Sequence, residues 1–72
     1  MPKLLSSKEI VEILSRAAFV FISQKGSHAK FRSKIDARMA TAIVPMGKKE
    51  VPLGTLRSII RQSGLAREDF LS

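Results

Sequence analysis

The chain contains one histidine, His28, and no cysteine. Imidazole titrates closer to neutral pH than any other ordinary side chain, so a histidine can take up or release a proton at cellular pH. His28 follows Gly26 and Ser27, and a glycine at this place permits a tight turn and a close approach of a ligand to the backbone. The missing thiols exclude disulfides, thiolate metal sites and thiol catalysis. His28 is therefore the candidate for general acid–base chemistry.

Cationic side chains occupy every second position after the histidine. The four residues that we call the basic row are His28, Lys30, Arg32 and Lys34, and they alternate with Ala29, Phe31 and Ser33. Because successive side chains of a strand point to opposite faces, this pattern predicts a half-buried strand over 28–34 with the basic row on one face. The spacing along that face, ~7 Å, is similar to the spacing of phosphates in single-stranded nucleic acid. The basic row predicts binding to a phosphate backbone with weak sequence specificity.

Positive charge is concentrated in the middle of the chain. The 72 residues include 13 Lys and Arg against 6 Asp and Glu, a net charge of +7. Most of the acidic residues lie near the two ends, whereas the segment from Arg16 to Arg61 is strongly basic. A polyanion is the natural partner of such a surface. The alternative is that the charge only keeps a small protein soluble, which does not explain its alternation in the strand.

The order of hydrophobic patterns predicts an α+β fold in a single domain over 1–72. Ser6 and Glu9 form a capping box that begins a helix. The expected elements are a helix over 7–17, strands over 19–23, 28–34 and 38–44, and a helix that starts at Gly54 with Thr55 as its N-cap. Each helix has one apolar stripe, so both must cover one face of a three-stranded antiparallel sheet. The other face is left for solvent or a ligand.

The sequence also predicts the turns and loops that connect these elements. We expect a turn over 24–27, a short hairpin connection over 35–37 and a loop over 45–53. Gly64 should end the second helix, and Leu65 and Phe70 should anchor a short helical turn over 66–71.

A second anion site is predicted where the second helix begins. The free N–H groups and the dipole of a helix N-terminus favour a phosphate. Lys48 and Lys49 precede the helix, and Thr55 and Arg57 lie near its start. The alternative is ordinary capping with exposed cations.

Several partners are excluded by composition. The longest apolar run, near Phe19–Ile22, is far too short to span a membrane. The segment MPKLLSSKE lacks the apolar core of a secretory signal, so we expect a cytoplasmic location. One histidine and scattered carboxylates do not form a usual metal site, so no metal or other cofactor is expected.

From the residues alone, RNA cleavage is the sharpest hypothesis. A neutral imidazole at His28 can take the proton of a ribose 2′-hydroxyl, while the neighbouring Lys25, Lys30 and Arg32 stabilise charge that develops on phosphorus. A non-catalytic RNA-binding module, in which His28 only contacts phosphate, remains the alternative. A purely structural interaction protein would show little salt dependence in its RNA affinity.

Two motifs carry a resemblance to a known family. The segment Lys25-Gly26-Ser27-His28, with Phe31 three residues on, resembles the KGSH motif of HicA-type toxins of bacterial toxin–antitoxin pairs. The stretch from Gly54 to Leu65 resembles that family's second signature, and the first helix with Ala18 and Phe19 fits its first third. The similarity covers nearly the whole chain, and the two motifs at this spacing are quite specific.

The resemblance implies both a fold and an activity. The implied fold is similar to a double-stranded-RNA-binding domain. The implied activity is mRNA cleavage that blocks translation, with His28 as the catalytic residue and a HicB-like antitoxin as the neutralising partner. Many relatives have a further histidine in the loop after the third strand, but the segment from Pro45 to Lys48 has none. The general acid of the reaction is therefore not identified.

Overall fold

The protein folds as a helix, three strands and a second helix, in the order predicted. The computed structural model describes residues 4–35 and 40–70. In these ranges the elements are helix α1 (Ser7–Arg16), strands β1 (Phe19–Lys25), β2 (His28–Ser33) and β3 (Thr41–Pro45), helix α2 (Leu53–Ser63) and a 3-10 turn (Arg67–Phe70). The strands form one antiparallel sheet in the order β1-β2-β3. The predicted α+β class is confirmed.

Helix α1 begins at the predicted capping box. The Ser6 hydroxyl accepts the Glu9 N–H at 3.1 Å, and the Glu9 carboxylate accepts the Ser6 N–H at 2.9 Å. These bonds satisfy N–H groups that have no partner inside the helix. The helix ends at Arg16, and Ala18 takes a left-handed conformation (φ 67°) that turns the chain into β1.

One face of the sheet and both helices enclose a single core. Ala29 lies opposite Val44, and Phe31 lies opposite Ala42, so these four side chains share the inner face. The core cluster also takes Ile10 and Leu14 from α1, Leu56 and Ile59 from α2, and Phe70 from the terminal turn. The expectation that both helices cover the same face is confirmed, as is the anchoring role of Phe70.

The β1–β2 hairpin is tighter than the sequence pattern suggested. Strand β1 continues to Lys25, which pairs with His28, so the turn contains only Gly26 and Ser27. Gly26 has a φ of 60°, a conformation that glycine adopts without steric cost. The register shifts between Phe21 and Ser23, where β1 contains a bulge.

Other boundaries also differ from the predicted ones. Strand β2 ends at Ser33, and Lys34 lies in the bend that follows, with its N–H bound to Ala18 O at 2.8 Å. Strand β3 begins at Thr41 and includes Pro45; the predicted start at Arg38 and most of the predicted connection over 35–37 lie outside the described residues.

Helix α2 starts earlier than expected. Its first residue is Leu53 and its N-cap position is Pro52, so the assignment of Thr55 as N-cap was wrong. Proline at this position has an extended backbone (φ −55°, ψ 145°) that fits the entry of a helix, and no side chain caps the first turn. Arg57 consequently lies beyond the first turn. At the other end Gly64, in the left-handed conformation, ends the helix as predicted.

Candidate functional site

His28 is the first residue of β2 and is exposed on the open face of the sheet. It pairs with Lys25 across the β1–β2 hairpin and with Pro45 on the other side, so it sits centrally at one end of the sheet. Within the described part of the chain, the imidazole has no hydrogen-bond partner. Its ring is thus free to contact a ligand.

The structure places most of the basic row together. Lys30 and Arg32 follow His28 on the same face, and their partners on β3 are Ile43 and Thr41. Lys30 is exposed and Arg32 is half-buried. Lys34 was predicted as the last member of the strand face, but it lies beyond the end of β2. Three members of the basic row, with Lys25 beside His28, therefore form one cationic surface.

A groove opens next to His28 between the outer edge of β3 and helix α2. Its volume is about 360 Å³. Its lining residues come from β2, β3, the following loop and α2: His28, Ile43, Pro45, Lys48, Pro52, Thr55, Ser58, Ile59 and Gln62. The groove thus brings His28 of the basic row together with Lys48 and Thr55, which the sequence had assigned to a second anion site.

Buried Ser7 holds the loop that forms one wall of this groove. The Ser7 hydroxyl donates to Pro45 O and accepts the Lys48 N–H at 3.0 Å, and the Ser7 N–H donates to Lys48 O at 3.0 Å. Met46 N–H also donates to Ser27 O, at 2.6 Å, which ties the loop to the hairpin turn. The first turn of α1 therefore sets the position of Lys48 relative to His28.

The remaining predicted contacts are spread over the surface. Gly26 and Ser27 form the exposed turn before His28, and Gln24 Nε2 donates to Gly26 O at 3.0 Å. Lys49 and Arg57 are exposed but do not line the groove. The structure does not join these two cations to His28 in one pocket.

Sequence reasoning missed Gln62 and Ser58. Gln62 Oε1 accepts the Ile43 N–H at 3.0 Å, so α2 satisfies a backbone donor of β3. Thr55, Ser58 and Gln62 are three to seven residues apart and therefore share one side of the helix. The polar spacing could have indicated these residues from the sequence. A polar helix face, however, predicts only exposure to solvent until the helix is known to lie beside β3.

Strand β1 presents apolar side chains to solvent. Val20, Phe21 and Ile22 are 37%, 56% and 42% exposed. The ring of Phe21 packs edge-on against Phe31, with 5.9 Å between ring centroids. Val20 lies opposite Arg32, so the open face offers an apolar contact from the first strand beside its cations.

Residues 4–35 and 40–70 contain neither a metal-binding cluster nor a membrane-spanning helix. No three His, Cys, Asp or Glu side chains gather there in a way that could hold a metal ion. No helix in those ranges is both long and apolar enough to cross a bilayer.

Comparison with known proteins assigns the chain to a family. The family described as the HicA toxin of bacterial toxin–antitoxin systems matches residues 7–65, which include α1, the whole sheet, the groove and α2. No curated protein matches the chain significantly. Because the family match covers most of the 72 residues, the resemblance seen in the two motifs is confirmed. The chain belongs to the HicA toxin family of bacterial toxin–antitoxin systems.

Proposed function

We propose that this toxin is an endoribonuclease that cleaves mRNA without a metal ion and thereby blocks translation. The observation that carries the proposal is the position of His28: it heads the basic row and also lies at the groove that contains Lys48. A free imidazole with Lys25 and Lys30 on one side and Lys48 on the other suits proton transfer next to a bound phosphate.

The proposed reaction uses the ribose 2′-hydroxyl as nucleophile. The imidazole of His28 takes the hydroxyl proton, the 2′-oxygen bonds to the adjacent phosphorus, and the bond from phosphorus to the 5′-oxygen breaks. The products are a 2′,3′-cyclic phosphate and a 5′-hydroxyl end. The 5′-oxygen must gain a proton as it leaves. His28 takes up the 2′-hydroxyl proton in this step, so the second proton comes from water or from a neighbouring ammonium group such as Lys25.

Backbone recognition is assigned to the cations around His28. The RNA strand follows Lys30 and Arg32 along the open face, and Lys34 extends this path past the end of β2. Uncapped N–H groups in the first turn of α2, with Lys48 nearby, favour a second phosphate. The proposed RNA-binding residues are Lys25, Gly26, Ser27, Lys30, Arg32, Lys34, Lys48, Lys49, Thr55 and Arg57.

The family implies an antitoxin partner, and we propose that it is a HicB-like protein acting in the cytoplasm. Its contact surface should be acidic, because the toxin surface around His28 is strongly basic. To neutralise the toxin it must cover His28 or block the approach of RNA to the basic row.

Replacement of His28 by alanine tests the catalytic assignment. A general base contributes roughly 100-fold or more to rate, so His28→Ala should lose cleavage to at least that extent while it keeps its fold and most of its RNA affinity. The measurements are RNA-end mapping, circular dichroism and binding titration. Lys8→Ala, on the exposed side of α1, is the matched control and should cleave like wild type.

A second candidate function is a non-catalytic RNA-binding module. The observation that favours it is that, among the described residues, no carboxylate or other group orients the His28 imidazole by a hydrogen bond. In that case His28→Ala leaves the pattern of RNA ends unchanged and weakens RNA binding alone, which would refute the catalytic assignment.

A further inference from the structure

The groove beside His28 has the volume and the mixed lining to hold a small planar group. Its volume of about 360 Å³ lies near the lower end of the range for ligand pockets, roughly 300–1,000 Å³. Apolar walls are formed by Ile43 and Pro45 of β3, Pro52 of the loop and Ile59 of α2. A flat group with apolar faces and polar edges matches this lining.

Besides His28 and Lys48, two polar side chains at the groove have hydrogen-bonding groups without a partner in the described part of the protein. Gln62 Oε1 accepts the Ile43 N–H, and both Nε2 hydrogens are left without an acceptor. The Thr55 hydroxyl is half-buried and also has no partner. Ser58 differs, because its hydroxyl donates to Gly54 O at 3.2 Å. Gln62 and Thr55 can therefore form new hydrogen bonds in the groove.

We propose that this groove binds one nucleobase of the RNA, from a nucleotide adjacent to the scissile phosphate. The inference rests on the proposed RNA cleavage, since His28 at the groove mouth defines which phosphate is attacked. The apolar walls hold the base faces, and the Gln62 amide and Thr55 hydroxyl contact the base edge. Enzymes that act on extruded bases use the same combination of apolar packing and edge hydrogen bonds.

This site gives the protein a source of sequence preference that the basic row lacks. Contacts from Lys30 and Arg32 to phosphates are independent of sequence, whereas hydrogen bonds to a base edge distinguish bases. The Gln62 amide presents its Nε2 donor to the base. It therefore favours guanine and uracil, which have a keto oxygen at the contacted edge, over adenine and cytosine, which have an amino group there.

The test is the substitution Gln62→Glu. It keeps the hydrogen bond to the Ile43 N–H and replaces the donor that contacts the base by an acceptor. A glutamate oxygen can still accept the Ile43 N–H, but the Nε2 donor becomes an acceptor. Short RNAs with each of the four bases on either side of the cleaved bond are digested, and their rates are compared. We expect the ratio of keto to amino substrates to fall by roughly tenfold at one of these positions.

Gln24→Glu is the matched control. It makes the same change of side chain and charge in an exposed residue of β1 that does not line the groove. It should slow all substrates equally, through charge repulsion and through loss of the Gln24 Nε2 bond to Gly26 O, with the base ratio unchanged. Thr55→Val, which removes only the hydroxyl, should weaken the preference at the same position as Gln62→Glu.

The outcomes separate this inference from the proposed function. Equal rate changes for all four bases in Gln62→Glu would overturn the nucleobase site and leave RNA cleavage standing. If the wild-type protein cleaves none of the RNAs, the proposed function fails. Binding titrations with the same RNAs then test whether the groove binds a nucleobase. The nucleobase site is then supported if the protein binds some bases more tightly than others and Gln62→Glu changes this preference. It is overturned if binding shows no base preference or if Gln62→Glu leaves the preference unchanged.

Discussion

Ser7 and Lys48, 41 residues apart in sequence, are joined by two hydrogen bonds of 3.0 Å. One runs from the Lys48 N–H to the Ser7 hydroxyl, and the other from the Ser7 N–H to the Lys48 carbonyl. Because the same hydroxyl donates to Pro45 O, a single buried side chain anchors both ends of the segment from Pro45 to Lys48. The start of α1 is thereby coupled to the wall of the groove beside His28.

The first prediction is that Ser7→Ala destabilises the protein. It leaves the Pro45 carbonyl and the Lys48 N–H without their partner, and each buried polar group left unpaired costs about 1–3 kcal/mol. Urea denaturation measures the loss. The matched control is Ser15→Ala on the exposed side of α1, which should change the free energy of unfolding by less than about 0.5 kcal/mol. Equal stability of the two variants would show that the Ser7 bonds contribute nothing net.

The second prediction concerns the salt dependence of RNA binding. If four phosphates of a single strand are contacted, affinity should fall roughly 50-fold between about 50 and 200 mM salt. The double variant Lys30→Gln, Arg32→Gln removes two contacts and should reduce the slope of log affinity against log salt by about 1.4. Fluorescence anisotropy with an unstructured RNA measures both slopes. Lys8→Gln, on α1, should keep the wild-type slope; a salt-independent wild type contradicts the electrostatic interface.

The third prediction is that cleavage persists in a chelator. The chain offers one histidine and no cysteine, and its described residues bring no acidic or histidine cluster together. The proposed chemistry needs only His28 and the cations around it. Digestion of an unstructured RNA in EDTA should proceed at the rate seen with Mg²⁺. The unstructured substrate removes any effect of Mg²⁺ on RNA folding, so a rate that depends on the metal would contradict the mechanism.

The order of elements was predictable because it depends on local patterns. The Ser6–Glu9 capping box, the alternation after His28 and the glycine at position 64 each act within a few residues, and each has its predicted effect in the structure. Boundaries were less predictable. Strand β1 reaches Lys25 because pairing with β2 continues to the turn, and α2 begins before Thr55 because Pro52 already directs the chain into a helix.

The sequence by itself determined the family motifs, the lone histidine and the alternation that places His28, Lys30 and Arg32 on one face. Only the tertiary structure decided that Lys48 and Thr55 share a groove with His28, and that Gln62 reaches Ile43 across 19 positions of sequence. The physical reason is that a strand's side-chain period is a property of its own backbone. The packing of α2 beside β3 instead depends on contacts between residues far apart in the chain, which no local pattern encodes.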